Sequence, residues 1–180
     1  MKAFNFFLVF LVLSACSSNL DFDQAKQLDI QPVFEGDILY FDLHDVNLTD
    51  QSGNFRNVIK DTVDFGIFED GKVRDGFVKA DIEVAYNNTF NRHFTTIYYF
   101  IDDNDQPVES GQFDIAAADA NNPEINGDVI FRFDKTSNPD FVNFRKIVLE
   151  IMISPDTLPV ENKTLHVQTK GTFYTNLTLD

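Results

Sequence analysis

Few side chains in this sequence combine the residue type and the spacing that chemistry requires. The single cysteine, Cys16, follows an apolar run and two small residues. A thiol is a site for covalent modification, but one cysteine cannot form a disulfide within its own chain. The three histidines, His44, His93 and His166, do not share a metal-ligand spacing. The sequence therefore predicts no metal site built on histidine, and modification of Cys16 is the clearest chemistry it indicates.

One acidic run could bind a cation. Its residues are Asp102, Asp103, Asn104 and Asp105. Carboxylate and amide oxygens are the ligands that Ca²⁺ prefers, but Gln106 and Pro107 interrupt the pattern of an EF-hand loop. Aspartate and asparagine are also common at hairpin tips, since they tolerate turn geometry. Both interpretations stay open, and this loop is the first candidate if a cation binds.

Catalytic motifs are missing from the sequence. It contains no Gly-x-Ser-x-Gly elbow and no glycine-rich phosphate loop. Ser52, Ser110 and Ser137 lie without a histidine nearby in sequence. The 29 acidic residues supply many chance carboxylate pairs, so such pairs carry no information. We therefore expect a non-enzymatic protein without a cofactor.

The composition excludes several classes of partner. The 180 residues include 14 basic and 29 acidic side chains, which gives a formal charge of −15. Binding to nucleic acid or to anionic lipid through a basic patch would need the opposite sign. Twenty phenylalanines and 43% hydrophobic residues also argue against a disordered acidic chain. We expect one folded domain.

The first residues resemble a bacterial lipoprotein signal. Lys2 precedes an apolar run over residues 4–13 that is shorter than the roughly 20 residues of a spanning helix. Leu13, Ser14, Ala15 and Cys16 then resemble a lipobox. That resemblance implies cleavage between Ala15 and Cys16, a diacylglycerol on the Cys16 thiol and a further fatty acid, such as palmitate, on the new amine. The alternatives are an ordinary signal peptide with a chance cysteine, or a buried free thiol.

The resemblance to a lipobox implies how the chain is divided into segments and where in the cell it is located. Residues 1–15 are the signal peptide, 16–27 the lipidated cysteine with a polar tether, and 28–180 the folded domain. Ser17 follows the cysteine where lipoproteins of the inner membrane carry aspartate, which favours the outer membrane. Asp21 and Asp23 loosely resemble the acidic cluster of surface-exposed lipoproteins in Bacteroidota. The periplasmic and cell-surface leaflets both stay open.

The elements that must position these residues are strands, because apolar residues alternate with a period of two. Val78, Ala80 and Ile82, for example, alternate with charged neighbours. Residues 147–153 are apolar on both faces apart from Glu150, which predicts a central strand. The predicted strands cover about 29–34, 37–46, 57–68, 78–86, 93–102, 107–115, 129–134, 145–153 and 165–173.

Turn chemistry separates the strands. We expect a tight break at Gly36, hairpin connections at residues 69–72 and 102–107, and a bulge or bend at Gly171. One short helix is predicted from Pro139 to about Phe144, with Asn138 as its cap. Eight or nine strands and one helix predict an all-β fold, an antiparallel and immunoglobulin-like β-sandwich, with a small barrel as the alternative.

Two triplets resemble a modification signal. Asp61-Thr62-Val63 and Asp156-Thr157-Leu158 resemble the Asp-Ser/Thr-apolar signal for protein O-glycosylation in Bacteroidota. The resemblance implies glycans on Thr62 and Thr157. Short signals of this kind also recur by chance.

The whole pattern resembles small, uncharacterised β-sandwich lipoproteins of Bacteroidota, of the flavobacterial type. It implies a lipid-anchored, non-catalytic envelope protein that acts as a structural or interaction subunit of an outer-membrane assembly. The alternative is a surface module that binds glycans, for which exposed tyrosine rings would form the platform. Its candidates are Tyr40, Tyr86, Tyr98, Tyr99 and Tyr174.

Overall fold

The computed structural model describes residues 29–154 and 162–178. Eight of the described strands form two four-stranded antiparallel sheets. The first sheet contains, in spatial order, β2 (Val33–His44), β9 (Thr164–Thr175), β4 (Phe77–Asn88) and β7 (Ile125–Asp134). The second contains β3 (Val58–Asp64), β8 (Lys146–Ile153), β5 (Phe94–Ile101) and β6 (Pro107–Ile115). Two short strands, β1 (Asp29–Ile30) and β10 (Leu177–Thr178), pair in a separate two-stranded sheet.

The all-β sandwich predicted from periodicity is confirmed, and residues 31–154 and 162–177 belong to one compact unit. Its strands alternate between buried and more exposed positions, as one-sided sheets require. In β8, Ile147, Leu149 and Ile151 are buried and the residues between them are half-buried. β8 lies between β3 and β5, which confirms it as a central strand.

The order of the strands differs from the immunoglobulin-like order that we expected. In an immunoglobulin sandwich the first two strands are neighbours in one sheet. Here β2 lies beside β9, and every connection between consecutive long strands crosses to the other sheet except the β5–β6 hairpin. This winding is that of a jelly roll. The eight long strands described form two separate sheets and no closed barrel.

An aromatic cluster fills one end of the sandwich. Its centre is Phe141, which is fully buried and stacks on Phe133 with 4.2 Å between ring centroids and 12° between ring planes. Further rings around Phe141 belong to Phe68, Phe77, Phe100 and Phe144. Offset and edge-to-face contacts of this kind add stabilisation to the burial of the rings.

Phe141 reaches the core from a short 3-10 helix, Pro139–Asn143, which confirms the predicted helical turn. Asn138 occupies the predicted N-cap position, but its side chain makes no capping hydrogen bond. Its Nδ2 donates to Glu109 Oε1 at 2.7 Å and so links the helix to β6.

Three local predictions from turn residues are wrong. β2 continues through Gly36, and its irregularity lies between Asp37 and Leu39. β9 continues through Gly171 without a register shift; a Cβ there would lie 2.6 Å from the Phe173 ring, so the glycine makes room for packing. The predicted hairpin at residues 69–72 is instead the start of helix α1 (Gly71–Asp75), because β3 and β4 belong to different sheets.

Candidate functional site

The residues of the predicted lipid site, Ala15 and Cys16, lie outside the described residues, as does Thr157. The structure therefore leaves the lipobox as a prediction. The other candidate residues lie on the sandwich, and three regions of its surface bear on function. These regions are the β5–β6 hairpin tip, the edge strand β3 and the outer face of the first sheet.

The acidic run forms the tip of the β5–β6 hairpin, which confirms the predicted connection there. Asp102 Oδ1 accepts hydrogen bonds from the backbone N–H groups of Gln106 at 2.9 Å and Asn104 at 2.8 Å. These bonds hold the pKa of Asp102 below its usual range. Asp105 adopts a positive φ of 56°, a conformation that aspartate tolerates in tight turns. The run therefore does the structural work of a turn.

The carboxylates of this tip also face cations of the chain itself. Arg145 Nε lies 3.6 Å from Asp103 Oδ2, and Lys146 Nζ lies 2.9 Å from Asp105 Oδ1. A cleft of about 480 Å³ adjoins the tip and is lined by Arg145 and Asp140 among others. An added Ca²⁺ would have to displace these partners, and the cation site stays a prediction. In residues 29–154 and 162–178, no three His, Cys, Asp or Glu side chains converge as metal ligands would.

The three histidines lie at different places on the sandwich. His44 is the last residue of β2, His93 precedes β5 and His166 lies on β9. The structure brings His166 together with Asp42, since its Nδ1 contacts Asp42 Oδ1 across the β2–β9 pair. The pair anchors the imidazole ring against the sheet.

The five tyrosines range from buried to exposed, and Tyr86, Tyr99 and Tyr174 are half-buried. Tyr98 is fully buried, and its hydroxyl lies 2.7 Å from Thr169 Oγ1. Burial raises the pKa of the Tyr98 hydroxyl. Tyr86 is half-buried and stacks on Phe113, while Tyr174 lies beneath Lys79. These rings belong to the packing of the sandwich.

Tyr40 has the accessible ring, with 66% of its surface exposed. It projects from β2 beside a shallow depression of about 250 Å³ on the outer face of the first sheet. The depression is lined by Ala85, by the half-buried Tyr86 and by amide and imidazole side chains from β4, β7 and β9. We call this region the Tyr40 face. It is defined by Tyr40, Ala85, Asn87, Asn126, His166 and Gln168.

Hydrogen bonds connect the polar side chains of the Tyr40 face. Asn87 Nδ2 donates to Asn126 Oδ1 at 2.7 Å and also contacts Glu124 Oε1. Asn126 Nδ2 donates to Glu124 Oε1 at 3.3 Å. Gln168 Nε2 donates to Asp37 Oδ1 at 3.4 Å. The Asn87–Asn126–Glu124 network and the separate Gln168–Asp37 hydrogen bond each orient their amide groups at the sheet surface.

Part of this face could have been found in the sequence. Tyr40, Asp42 and His44 alternate with Leu39, Phe41 and Leu43, so the first three must share a polar face. Their partners on β4, β7 and β9 could not have been found in this way. Alternation identifies the face of a strand but not its neighbours.

Thr62 lies on β3, an edge strand of the second sheet, and its side chain is exposed. Asp61 Oδ1 accepts a hydrogen bond from the Thr62 backbone N–H at 2.9 Å. An O-linked glycan at this position would therefore extend into solvent without disturbing the core. Accessibility is what the predicted modification requires.

We expect Thr62→Val to remove a discrete glycan mass from natively produced protein, because valine has no hydroxyl. Thr62→Ser keeps the hydroxyl and the triplet pattern and should retain the added mass. Intact-mass spectrometry of the wild type and both variants measures the difference. A wild-type mass equal to that of the acylated polypeptide alone would refute glycosylation at Thr62 and at Thr157.

Among residues 29–154 and 162–178, no helix has the length and apolar content needed to cross a membrane.

Several solved structures resemble part of the chain at low sequence identity. A Parabacteroides distasonis protein classed as secreted is 16% identical, with a TM-score of 0.45 over 64% of this chain and 37% of that chain. The VP2 subviral particle of infectious bursal disease virus is 11% identical, with a TM-score of 0.42 over 81% of this chain and 32% of that chain. Desmodium yellow mottle tymovirus is 9% identical, with a TM-score of 0.38 over 85% and 91% of the two chains. The matched regions span about a third of the first two proteins. No protein-family model and no curated protein matches this chain.

Proposed function

We propose that this chain is a lipid-anchored protein of the outer membrane that acts as a non-catalytic structural or interaction subunit of an envelope assembly. The observation that carries the proposal is the sequence Leu13-Ser14-Ala15-Cys16 directly after a short apolar run. Cys16 directly follows the small residues Ser14 and Ala15, which is the position that lipid attachment requires. It is also the single cysteine of the chain. The sandwich that follows supplies a stable domain on the end of a tether.

The energetics of acylation support a permanent anchor. Each buried methylene of an acyl chain contributes on the order of 0.8 kcal/mol, and one chain alone gives only reversible binding. A diacylglycerol on Cys16 provides two acyl chains and an amide-linked acyl chain provides a third, which is enough for stable residence. Cleavage before Cys16 removes Lys2, so the anchored chain is one unit more negative than −15. That charge keeps the domain away from anionic headgroups.

Exposed apolar side chains support a role in protein contact. β2 forms an edge of the first sheet and exposes Val33 and Phe34, with 54% and 38% of their surfaces accessible. Beside Phe34, Phe65 and Phe173 line an apolar groove of about 240 Å³. Apolar residues at an open sheet edge are a feature of surfaces that pair with other chains.

Affinity purification from detergent-solubilised envelope tests the proposal. The full chain carries a C-terminal tag, and Cys16→Ser produced in the same cells is the control for contacts that need the membrane. We expect a protein partner at fixed stoichiometry with the wild type. Recovery of a monomer without any stoichiometric protein would contradict the role as a subunit.

A further inference from the structure

We propose that the Tyr40 face is a binding site for an uncharged carbohydrate chain. This inference does not depend on the lipid anchor, because every residue of the site lies on the sandwich. It goes beyond a subunit role and gives the domain a ligand of its own. The site would hold the ligand across the strands of the first sheet.

The register of the sheet builds the site from four strands. Two neighbouring cross-strand rows run over β2, β9, β4 and β7 in that order. With about 4.8 Å between strands, each row spans about 14 Å, which suits a short oligosaccharide better than one sugar ring. The rows are Asp42, His166, Asn87, Asn126 and Tyr40, Gln168, Ala85, Asp128.

The shape of the face comes from a small residue beside a large one. Ala85 has the smallest side chain of its row and leaves the depression between the longer side chains around it. Tyr40 forms one wall and presents an exposed ring. A sugar ring has an apolar face of C–H groups, and an accessible tyrosine ring offers a complementary flat apolar surface with a polar tip. Tyr40 on β2 and Ala85 on β4 are separated by Gln168 of β9, and the exposed ring beside this depression is suited to stacking against a sugar.

The polar groups of the face match sugar hydroxyls. A hydroxyl donates one hydrogen bond and accepts others, and side-chain amides do both. Asn87 lines the depression and donates through Nδ2 to Asn126, so its Oδ1 can accept a hydrogen bond from a sugar hydroxyl. The described contact of the His166 ring is through Nδ1 to Asp42, so Nε2 is the ring atom that can face a ligand. Because the network orients these groups beforehand, a ligand loses little affinity to their ordering.

Charge decides which carbohydrate fits. Asp42, Glu124 and Asp128 lie in or beside the two rows, and the whole chain carries −15. Carboxylates at the site repel the acidic groups of uronic or sulfated polysaccharides. Neutral sugars are not repelled, and their hydroxyls can also donate to the carboxylates. The site is therefore assigned to an uncharged glycan.

Isothermal titration calorimetry of the natively produced full chain in detergent tests the assignment. The probes are neutral hexasaccharides of glucose, mannose, xylose and N-acetylglucosamine, with an oligogalacturonate and an oligolysine for comparison. We expect at least one neutral hexasaccharide to bind and the oligogalacturonate to fail. Tyr40→Ala should weaken that binding about tenfold or more, because the stacking surface is lost.

Tyr174→Ala is the matched control, since it removes a tyrosine from the same sheet about 20 Å away along β9. It should bind the hexasaccharide as the wild type does. Three results would overturn the assignment. They are no binding of any neutral hexasaccharide at millimolar concentration, equal affinities for Tyr40→Ala and wild type, and binding of oligolysine alone.

Discussion

Replacement of Cys16 by serine is expected to move the protein from the membrane fraction to the soluble fraction. Serine lacks the thiol to which a diacylglycerol is attached, so no acyl chain can be attached at this position. Two or three acyl chains bind a membrane essentially permanently, and their loss should shift the distribution by orders of magnitude. Cell fractionation followed by immunoblotting measures the change.

Ser18→Ala is the matched control, because it alters a serine of the tether and leaves residues 13–16 intact. It should remain in the membrane fraction. We also expect Cys16→Ser to fold normally, since the sandwich contains no cysteine. Retention of folded Cys16→Ser in the membrane fraction would refute lipid anchoring through this residue.

Replacement of Phe141 by alanine is expected to have the largest effect on stability. The ring is fully buried and contacts Phe133, Phe68 and other rings from both sheets. Removal of a buried phenylalanine costs about 3–5 kcal/mol in the free energy of unfolding, because the cavity cannot close fully. Since domains are stable by about 5–15 kcal/mol, this loss approaches the total. Urea denaturation followed by circular dichroism measures it.

Two companion variants make the result interpretable. Phe141→Leu keeps part of the buried volume and should cost less than Phe141→Ala, which keeps the comparison available if the alanine variant does not fold. Tyr40→Ala removes an aromatic ring that is 66% exposed and should change stability by less than about 1 kcal/mol. Equal losses for Phe141→Ala and Tyr40→Ala would contradict the assignment of the Phe141 cluster as core.

Local patterns in the sequence predicted the strands well, and the reason is physical. An alternating face, as at residues 78–86, is imposed by the sheet on each strand separately. The helical turn at Pro139 and the hairpin at residues 102–107 depend on local turn chemistry, which the sequence also shows. Strand order depends on which strands meet, and nothing in the alternation records it. The jelly-roll winding could therefore be found only from the structure.

Short elements and packing exceptions also escaped the sequence patterns. Helix α1 has five residues, too few for a helical period, and its signal was the single N-cap Asp70, whose Oδ1 accepts from Lys72 N at 2.8 Å. Gly171 was predicted to mark a bulge, but its role is to leave room for two side chains. Phe173 is close to Gly171 in sequence, whereas Ile38 is distant from it. A glycine alone does not distinguish these uses.

The residues of the Tyr40 face could likewise be predicted only in part from the sequence. The exposed positions of β2 were predictable, but His166, Gln168, Asn87 and Asn126 join them only through the register of three further strands. Residues more than a hundred positions apart thus become neighbours, as Asp42 and His166 do. The lipobox, by contrast, is continuous in sequence and can be recognised there.

The proposed function depends on a lipid anchor at Cys16, which mass spectrometry of the N-terminal peptide of the mature protein can detect. We expect a peptide that begins at Cys16, with a diacylglycerol on the thiol and an acyl chain on the amine. A mature protein that begins at another residue, or a Cys16 with a free thiol, would contradict it.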